Sequence, residues 1–457
     1  MSMQGTDSSQ FREHLKVQRG GLYVDGVSCG ALAERFGTPL YVMSENRIRH
    51  NYRALYSALN RIYQKIMICP AYKANSHLAV CHIYTKEGAG AEVVSPSELR
   101  MALQVGVKPH RIVYNGPMKK QEDLELAIAS EVGLINADSL PELEHMQQAA
   151  RKVKKRCNAG VRINVDIDPL THPYLATSQK EHKFGVSVDS AIDAYREGCK
   201  KPELNMIGMH CHLGSNISQR KVVSEMTSKI FKLVSQVRES VGIELSMIDL
   251  GGGLGFSYQP TEPTMGFDQY ASSALTDNLG ILDELGRPTL IFEPGRAIVA
   301  DSGILLTTVN VLKRQGDVNW AIVDAGMNTF LRPALYEARH QILLASRESS
   351  ADVTYSVGGP CCESADAFAR GISLPLLREN DLLAVLDVGA YGFTMASNYN
   401  ALPRPAVVLV SKGEDFLIRR RESYEDLIAA ETIPAHLTKY GRPARTIIKK
   451  TFSVDSS

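Results

Sequence analysis

The chain has 457 residues, of which 44% are apolar and 22% charged, the make-up of a globular protein with a substantial core and not of a disordered or fibrous one. Its 51 Lys and Arg nearly cancel its 50 Asp and Glu, so a whole-chain electrostatic footprint for nucleic acid is absent and no such partner is expected. No apolar run approaches the roughly 20 residues of a membrane span, and the polar opening MSMQGTDSSQFREHLKVQRGG has no signal-peptide core, so no membrane partner and a cytoplasmic, reducing location are expected.

Two short runs, 21–27 and 39–43, read as strands at the start of the chain. Val- and Ile-rich runs then recur at 66–69, 92–94, 112–114, 134–136, 161–165, 207–212, 247–250 and 290–292, with helical patterns between them. After the second, Ser95-Pro96-Ser97-Glu98 is a capping box with Pro at the first helical position, and Leu99, Ala102 and Leu103 follow as an apolar stripe. Ser139-Leu140-Pro141-Glu142 repeats the pattern after the fourth. Strands alternating with helices predict parallel βαβ units, and eight of them predict a closed (β/α)8 TIM barrel ahead of an open doubly wound sheet. Beyond about residue 300 the runs 304–312, 318–323, 353–357, 382–386, 406–410 and 416–419 lack long intervening helices. The fold class is therefore α/β: an N-terminal segment 1–45 joining a β domain, a barrel over 46–299, and a mostly β sandwich or barrel over 300–457. The basic run 151–156 reads as a solvated helix face.

The 8 cysteines form no C-x-x-C, and Cys29, Cys69, Cys81, Cys157, Cys199 and Cys211 are scattered, as buried free thiols would be. Cys361 and Cys362 are adjacent and stand apart. The reactive residue types cluster where a barrel places its chemistry, at the C-terminal ends of the strands. Lys73 follows the first run, His212 ends the sixth, Gly251, Gly252 and Gly253 follow the seventh, and Glu293, Gly295 and Arg296 follow the eighth. The triplet His210-Cys211-His212 suggests a metal centre, but neighbours on a strand face opposite ways, so no metal is expected. The glycines suit an anion cradled by backbone N–H groups, while their spacing fits neither a dinucleotide fingerprint nor a P-loop. An amine for an aldehyde, a nest for a phosphate, a carboxylate for a pyridine nitrogen and an imidazole to stack on a ring together point to pyridoxal 5′-phosphate.

At these residues the sequence resembles the alanine-racemase-like, fold-type III group of pyridoxal phosphate enzymes, and within it the diaminopimelate decarboxylase family. The resemblance runs from about Gly21 to Leu427 through Tyr72-Lys73-Ala74-Asn75, His212-Leu-Gly-Ser215, Glu293-Pro-Gly-Arg296, Asp324-Ala-Gly-Met-Asn328, Arg332-Pro-Ala-Leu-Tyr336, Cys362-Glu363-Ser364 and Gly389-Ala-Tyr391-Gly. It implies that Lys73 binds the cofactor covalently, that His212 stacks on its ring, and that Ser215, Gly253, the 293–296 stretch and Tyr391 line the phosphate side, with Glu92 also at the cofactor. It implies that Glu293 keeps the ring nitrogen protonated, which favours decarboxylation over racemisation. Cys362 would return a proton after CO2 leaves, work that suits a thiol with an unperturbed pKa of ~8.5. Arg296, Arg332, Tyr336, Glu363, Ser364 and Tyr391 would contact substrate, the arginines gripping a distal carboxylate and Glu363 the far ammonium. The Cys362 loop would enter a neighbouring subunit's barrel, so a homodimer with shared active sites is implied.

The expected reaction is α-decarboxylation of meso-diaminopimelate, a small-molecule amino acid, to L-lysine. The departures from the family pattern are Glu92 for Asp, Asn216 for Gln, the 171–178 stretch and the basic tail around 439–450. They leave open another carboxylate-bearing substrate, such as a glutamyl group on a carrier protein or a siderophore intermediate. A catalytically dead relative would have lost Lys73 or Cys362, and a Cys hydrolase would need a base beside Cys362, where the sequence offers no His.

Overall fold

The computed structural model describes residues 13–437, apart from 19, 170–176, 178–180, 182, 260, 263, 348, 350 and 351. The polar opening up to residue 12, nearly all of the 171–178 stretch and the basic 439–450 tail fall outside the described residues.

Eight parallel strands form the barrel: β1 (Ile66–Ile68), β2 (Ala91–Val93), β3 (Ile112–Tyr114), β4 (Leu134–Ala137), β5 (Cys157–Asn164), β6 (Leu204–His210), β7 (Met247–Asp249) and β8 (Thr289–Phe292). They lie in the order β1-β8-β7-β6-β5-β4-β3-β2. The ring closes where Gly90 N–H donates to the Ile68 carbonyl at 2.9 Å, Glu92 N–H donates to the Pro70 carbonyl at 3.1 Å, and Ala71 bridges Glu92. The expected barrel is therefore present. β5 and β6 start earlier than their apolar runs suggested, because Asn158 and Asn205 interrupt the pattern yet satisfy each other across the pair at 3.0 Å. β6 also ends at His210, which leaves His212 in the loop beyond it.

Parallel register decides which side chains share the barrel's interior. Glu92 pairs with Val113, Asn136 with Gly160, Gly208 with Met247, His210 with Asp249, and Asp249 with Ile291. Because side chains alternate with a period of two, Glu92, Asn115, Asn136, His210, Asp249 and Glu293 all face inward at the C-terminal rim. Gly160 makes room for this ring, since a Cβ there would lie 2.2 Å from the Asn136 side chain.

The first capping signal is realised: Ser95 Oγ accepts from Glu98 N–H at 3.2 Å, Glu98 accepts from Val94 N–H at 2.8 Å, and helix Pro96–Gln104 buries Leu99 and Ala102. The second is realised only in part. Ser139 makes no side-chain cap, and Glu142 accepts from Asp138 N–H at 2.7 Å and from the buried Lys119 ammonium at 3.1 Å. Glu142 thus reaches back ahead of the helix as Glu98 does, with a buried cation as a second partner, and only the Ser139 half of the box is missing. In the basic run, Arg151, Lys152 and Lys155 pair with Glu203, Glu125 and Glu131 at the surface.

The second layer is a sheet in the order Ala367–Pro375, Asp352–Gly358, Val318–Val323, Gly303–Gln315, Leu40–Ser44, Ala406–Ser411 and Glu414–Arg419, with Leu382–Val385 and Ile342–Leu344 alongside. The 39–43 run thus lies mid-sheet. The 21–27 run does not join this sheet. Asp25 and Gly26, both at positive φ, turn it into a hairpin of Gly21–Val24 and Val27–Ser28 that pairs with Leu15–Gln18 in a separate small sheet. Ala367–Pro375 escaped sequence reading because Gly371, at φ 64, and a terminal Pro break its pattern.

Barrel and sheet meet backbone to backbone. Gly389 N–H donates to the Ala300 carbonyl at 2.9 Å, a Cβ on Gly389 would lie 2.0 Å from the Val299 carbonyl oxygen, and one on Gly303 would lie 2.7 Å from Gly389 Cα. Gly389→Ala should therefore cost about 1–3 kcal/mol by forcing the seam apart, read as a lower urea midpoint with an unchanged slope.

Candidate active site

Lys73 sits in the 3-10 turn Tyr72–Ala74 just past β1, and its Nζ donates to Glu92 at 2.9 Å. Burial opposes its charge. The Glu92 carboxylate, with Tyr391 and Glu293 behind it, outweighs that and raises the Lys73 pKa. Glu92 is itself buried and accepts a further hydrogen bond from Asn115 at 3.2 Å. Asn115 donates also to Glu293 at 2.6 Å, and Asn136 fixes Asn115 at 2.9 Å. A continuous polar chain thus joins the amine to the Glu293 carboxylate. Burial opposes ionisation of Glu293, but His210 and Lys73 hold it well below the usual carboxylate range.

The glycine run closes the floor. Gly251 (φ 64) and Gly253 (φ 103) adopt left-handed backbone, and a Cβ on Gly252 would lie 2.1 Å from the Glu293 carbonyl oxygen. Gly252 N–H donates to His212 Nδ1 at 3.2 Å, which leaves the proton of the imidazole on Nε2. Burial, then Lys73 and Arg162, push the His212 pKa well down, so the ring is neutral and free to stack. Ile217 N–H donates to the Gly253 carbonyl and Gly255 N–H to the Ile217 carbonyl, each at 2.8 Å, so the Ser215 loop is stitched to the glycine turn. Asn216, at φ 68, accepts from Phe256 N–H at 2.9 Å and reinforces that seam. His210 and His212 do not converge: one faces Glu293, the other lines the pocket.

Arg296 enters from the short helix Arg296–Val299. Its Nε and Nη2 donate to Ser215 Oγ at 3.2 and 2.9 Å, and its Nη1 donates to Tyr258 Oη at 2.6 Å. Its guanidinium also lies 5.0 Å from the Tyr391 ring centroid. Arg332 packs on the other side of Tyr258, 5.0 Å from its ring, and 5.7 Å from that of Tyr336. It is 3% exposed, yet among the described residues Nε and Nη1 have no hydrogen-bond partner. Burial and the neighbouring Arg296 both lower its pKa. His340 packs on the same Tyr258 at 4.5 Å and is held near about 3 by burial and Arg332, so it adds no charge.

The structure therefore gathers Lys73, His212, Ser215, Gly253, Glu293, Gly295, Arg296 and Tyr391 at one pocket, with Glu92 behind Lys73, Gly251 and Gly252 against His212 and Glu293, and Arg332 and Tyr336 on its flank. The side chains draw close together there and leave a cavity of about 20 Å³. Cys362, Glu363 and Ser364 are elsewhere, exposed on a loop pinned by Asn400, which accepts from Cys362 N–H at 2.8 Å. Sequence reading did not single out Asn115, Tyr258 or His340, and left His210 and Asp249 without a role. His210 and Asp249 end strands, Asn115 follows one, Tyr258 lies five residues beyond the glycines, and His340 carries no local signal.

The donor set fits pyridoxal 5′-phosphate: an amine, a neutral imidazole and an ionised carboxylate, with a glycine floor that no Cβ would leave open. Residues 45–300 match the family model for the pyridoxal binding domain of pyridoxal-dependent decarboxylases. The diaminopimelate decarboxylase of Methanocaldococcus jannaschii is 39% identical over 429 residues, covering 93% of this chain and 98% of that one, and that of Pseudomonas aeruginosa is 39% identical over 90% and 97%. Crystal structures agree. The Methanocaldococcus enzyme superposes with a TM-score of 0.89 over 93% and 99% of the two chains, at 39% identity. The Helicobacter pylori diaminopimelate decarboxylase complexed with L-lysine superposes with a TM-score of 0.82 over 88% and 98%, at 35% identity.

Only a neutral amine attacks an aldehyde, so a raised Lys73 pKa slows cofactor uptake at neutral pH. Glu92→Gln removes the carboxylate that raises it and should shift the pH profile of cofactor uptake, followed by absorbance in cofactor-free protein, toward lower pH.

Proposed function

The chain belongs to the pyridoxal-dependent decarboxylases, in the diaminopimelate decarboxylase family, and from that premise we infer that it releases CO2 from meso-diaminopimelate and leaves L-lysine. The observation that carries the substrate is the buried Arg332, whose Nε and Nη1 await an acceptor. An unpaired guanidinium beside a second one, Arg296, suits a distal carboxylate gripped in bidentate fashion. Amino acids without that carboxylate would leave both charges buried and unanswered.

When bound, pyridoxal 5′-phosphate supplies an aldehyde that takes up the substrate amine and a pyridine ring that accepts the electron pair left by CO2. The protein's residues do the rest. Lys73 holds its amine at the aldehyde end, and Glu92, 2.9 Å away, takes or returns the proton of Nζ. Glu293, kept ionised, holds the proton on the ring nitrogen. His212 covers one face of the ring as a neutral imidazole. Ser215, Gly253, Gly295, Arg296 and Tyr391 bind the phosphate side. Arg296, Arg332 and Tyr336 orient the distal carboxylate, and this fixes which carboxyl group stands at the reacting carbon.

Cys362 delivers a proton to that carbon, with Glu363 and Ser364 at the far ammonium. Their exposure, away from the pocket of their own chain, supports a homodimer in which each subunit completes the other's site. A cleft of about 850 Å³ beside the Arg332 helix, lined by Pro333, Ala334, Glu337, Phe368, Arg370 and Ile372 among others, is a seat for such a loop. Among the described residues no helix is long and apolar enough to cross a membrane. Two departures from the family pattern lose their force as arguments for a carrier-tethered substrate: Glu92 still reaches Lys73, and Asn216 turns to Phe256 and does not line the pocket.

Pure protein given meso-diaminopimelate should yield CO2 and lysine; bound cofactor without turnover would reject the substrate. Arg332→Ala should raise KM by about 10–100-fold, the worth of a lost charge-assisted pair, and an unchanged KM would remove Arg332 from the site. Lys73→Ala and Cys362→Ala should each be inactive alone and regain activity on mixing, because one of the two mixed sites is then intact; no recovery would reject shared sites.

A further inference from the structure

The Lys73–Glu293 chain leaves one carboxyl group out. Asp249 ends β7, beside His210 on β6, and Glu293 follows β8, so register brings the polar atoms of the three within 4.8 Å of one another. Asp249 is fully buried. Its Oδ1 accepts from Gly251 N–H at 2.9 Å, and its Oδ2 has no donor.

Apart from His210, whose Nε2 sits 3.4 Å from Glu293, the groups around it are of the wrong kind to support a charge. Glu293 and Glu92 are carboxylates, Cys69 and Cys211 are buried thiols pushed up by burial, and Tyr270 is a buried phenol. Among the described residues no Lys or Arg forms an ion pair with Asp249. Glu293, by contrast, has a donor in Asn115 at 2.6 Å, with His210 Nε2 3.4 Å away and the Lys73 ammonium nearby. Two carboxyls in contact in a buried site do not both ionise, and the one with donors takes the charge.

We propose that Asp249 stands as a neutral carboxylic acid whose Oδ2 proton is donated to Glu293, making Asp249 a positioning residue that keeps Glu293 ionised and aimed. The shifts agree in direction: burial and then Glu293 raise Asp249 well above the usual carboxylate range, and the hydrogen bond from Asp249 helps to lower Glu293. One negative charge then faces the ring nitrogen where a count of side chains suggests two. The role assigned to Asp249 rests on the cofactor reading given above, while its protonation does not.

The holoenzyme tests this through two variants. Asp249→Asn keeps both hydrogen bonds, since its oxygen still accepts from Gly251 N–H and its NH2 still donates to Glu293. Asp249→Leu deletes the donor. At neutral pH the infrared difference between wild type and D249N should show the carbonyl band of a protonated carboxylic acid, present only in wild type. The acid limb in the pH dependence of bound-cofactor absorbance should stay in place for D249N. For D249L it should move up by about one pH unit or more, because a Glu293 short of a donor ionises less readily. Absence of the acid band, equal shifts in both variants, or a stoichiometric divalent metal ion in the trio by elemental analysis would each overturn the proposal. Should D249L fail to fold, the infrared comparison decides alone. A wild-type protein with no cofactor absorbance would instead defeat the cofactor reading and leave the infrared result to judge Asp249.

Discussion

A charge sealed inside a barrel must find an answering group, and that requirement organises this molecule. Glu92 and Glu293 are withdrawn from bulk water at the rim, where Lys73 is part-exposed, and the two carboxylates are tolerable only because the amine, or the Asn between them, compensates them. Asn115 is the shared member: its single amide group reaches both carboxylates, and Asn136 stops it from turning away. The reactive amine and Glu293 are thus parts of one preorganised electrostatic unit, carried on the barrel strands or on the first residues beyond them.

The flank of the pocket works the other way. There the protein leaves charge unanswered. Arg296 and Arg332 share one phenol, Tyr258, which accepts a hydrogen bond from the first and offers its face to the second. His340 fills the space beside it without adding charge. The cost of this arrangement is recovered only when an anion arrives, so substrate choice is written into the empty state of the wall.

Local signals were good guides where the chemistry is local. The alternation of apolar runs with caps such as Ser95–Glu98 revealed the barrel, and residues just past the runs, Lys73, the Gly251–Gly253 turn and Glu293, marked the mouth. Legibility failed where partners are far apart in sequence. Asn115 and Glu293 are separated by 178 positions, and nothing in either neighbourhood announces the contact. Tyr258 matters because two arginines from different elements converge on it, which only register and packing can reveal. Ser139–Glu142 was legible only in part: Glu142 turns back as the pattern implies, but its second partner, the buried Lys119, lies 23 positions away.

The chain's route has its own consequence. Leu40–Ser44 and Gly303–Gln315 are hydrogen-bonded neighbours, with Met43 opposite Gly303, although the whole barrel lies between them in sequence. The barrel is thus an insertion tethered at both ends by adjacent residues of the second sheet. During synthesis the strand Leu40–Ser44 must wait, unpaired, while some 250 later residues emerge and collapse, because both of its neighbours are translated after the barrel. Its exposed edge is then at most risk of pairing with other nascent chains, a hazard inherent in the order of translation.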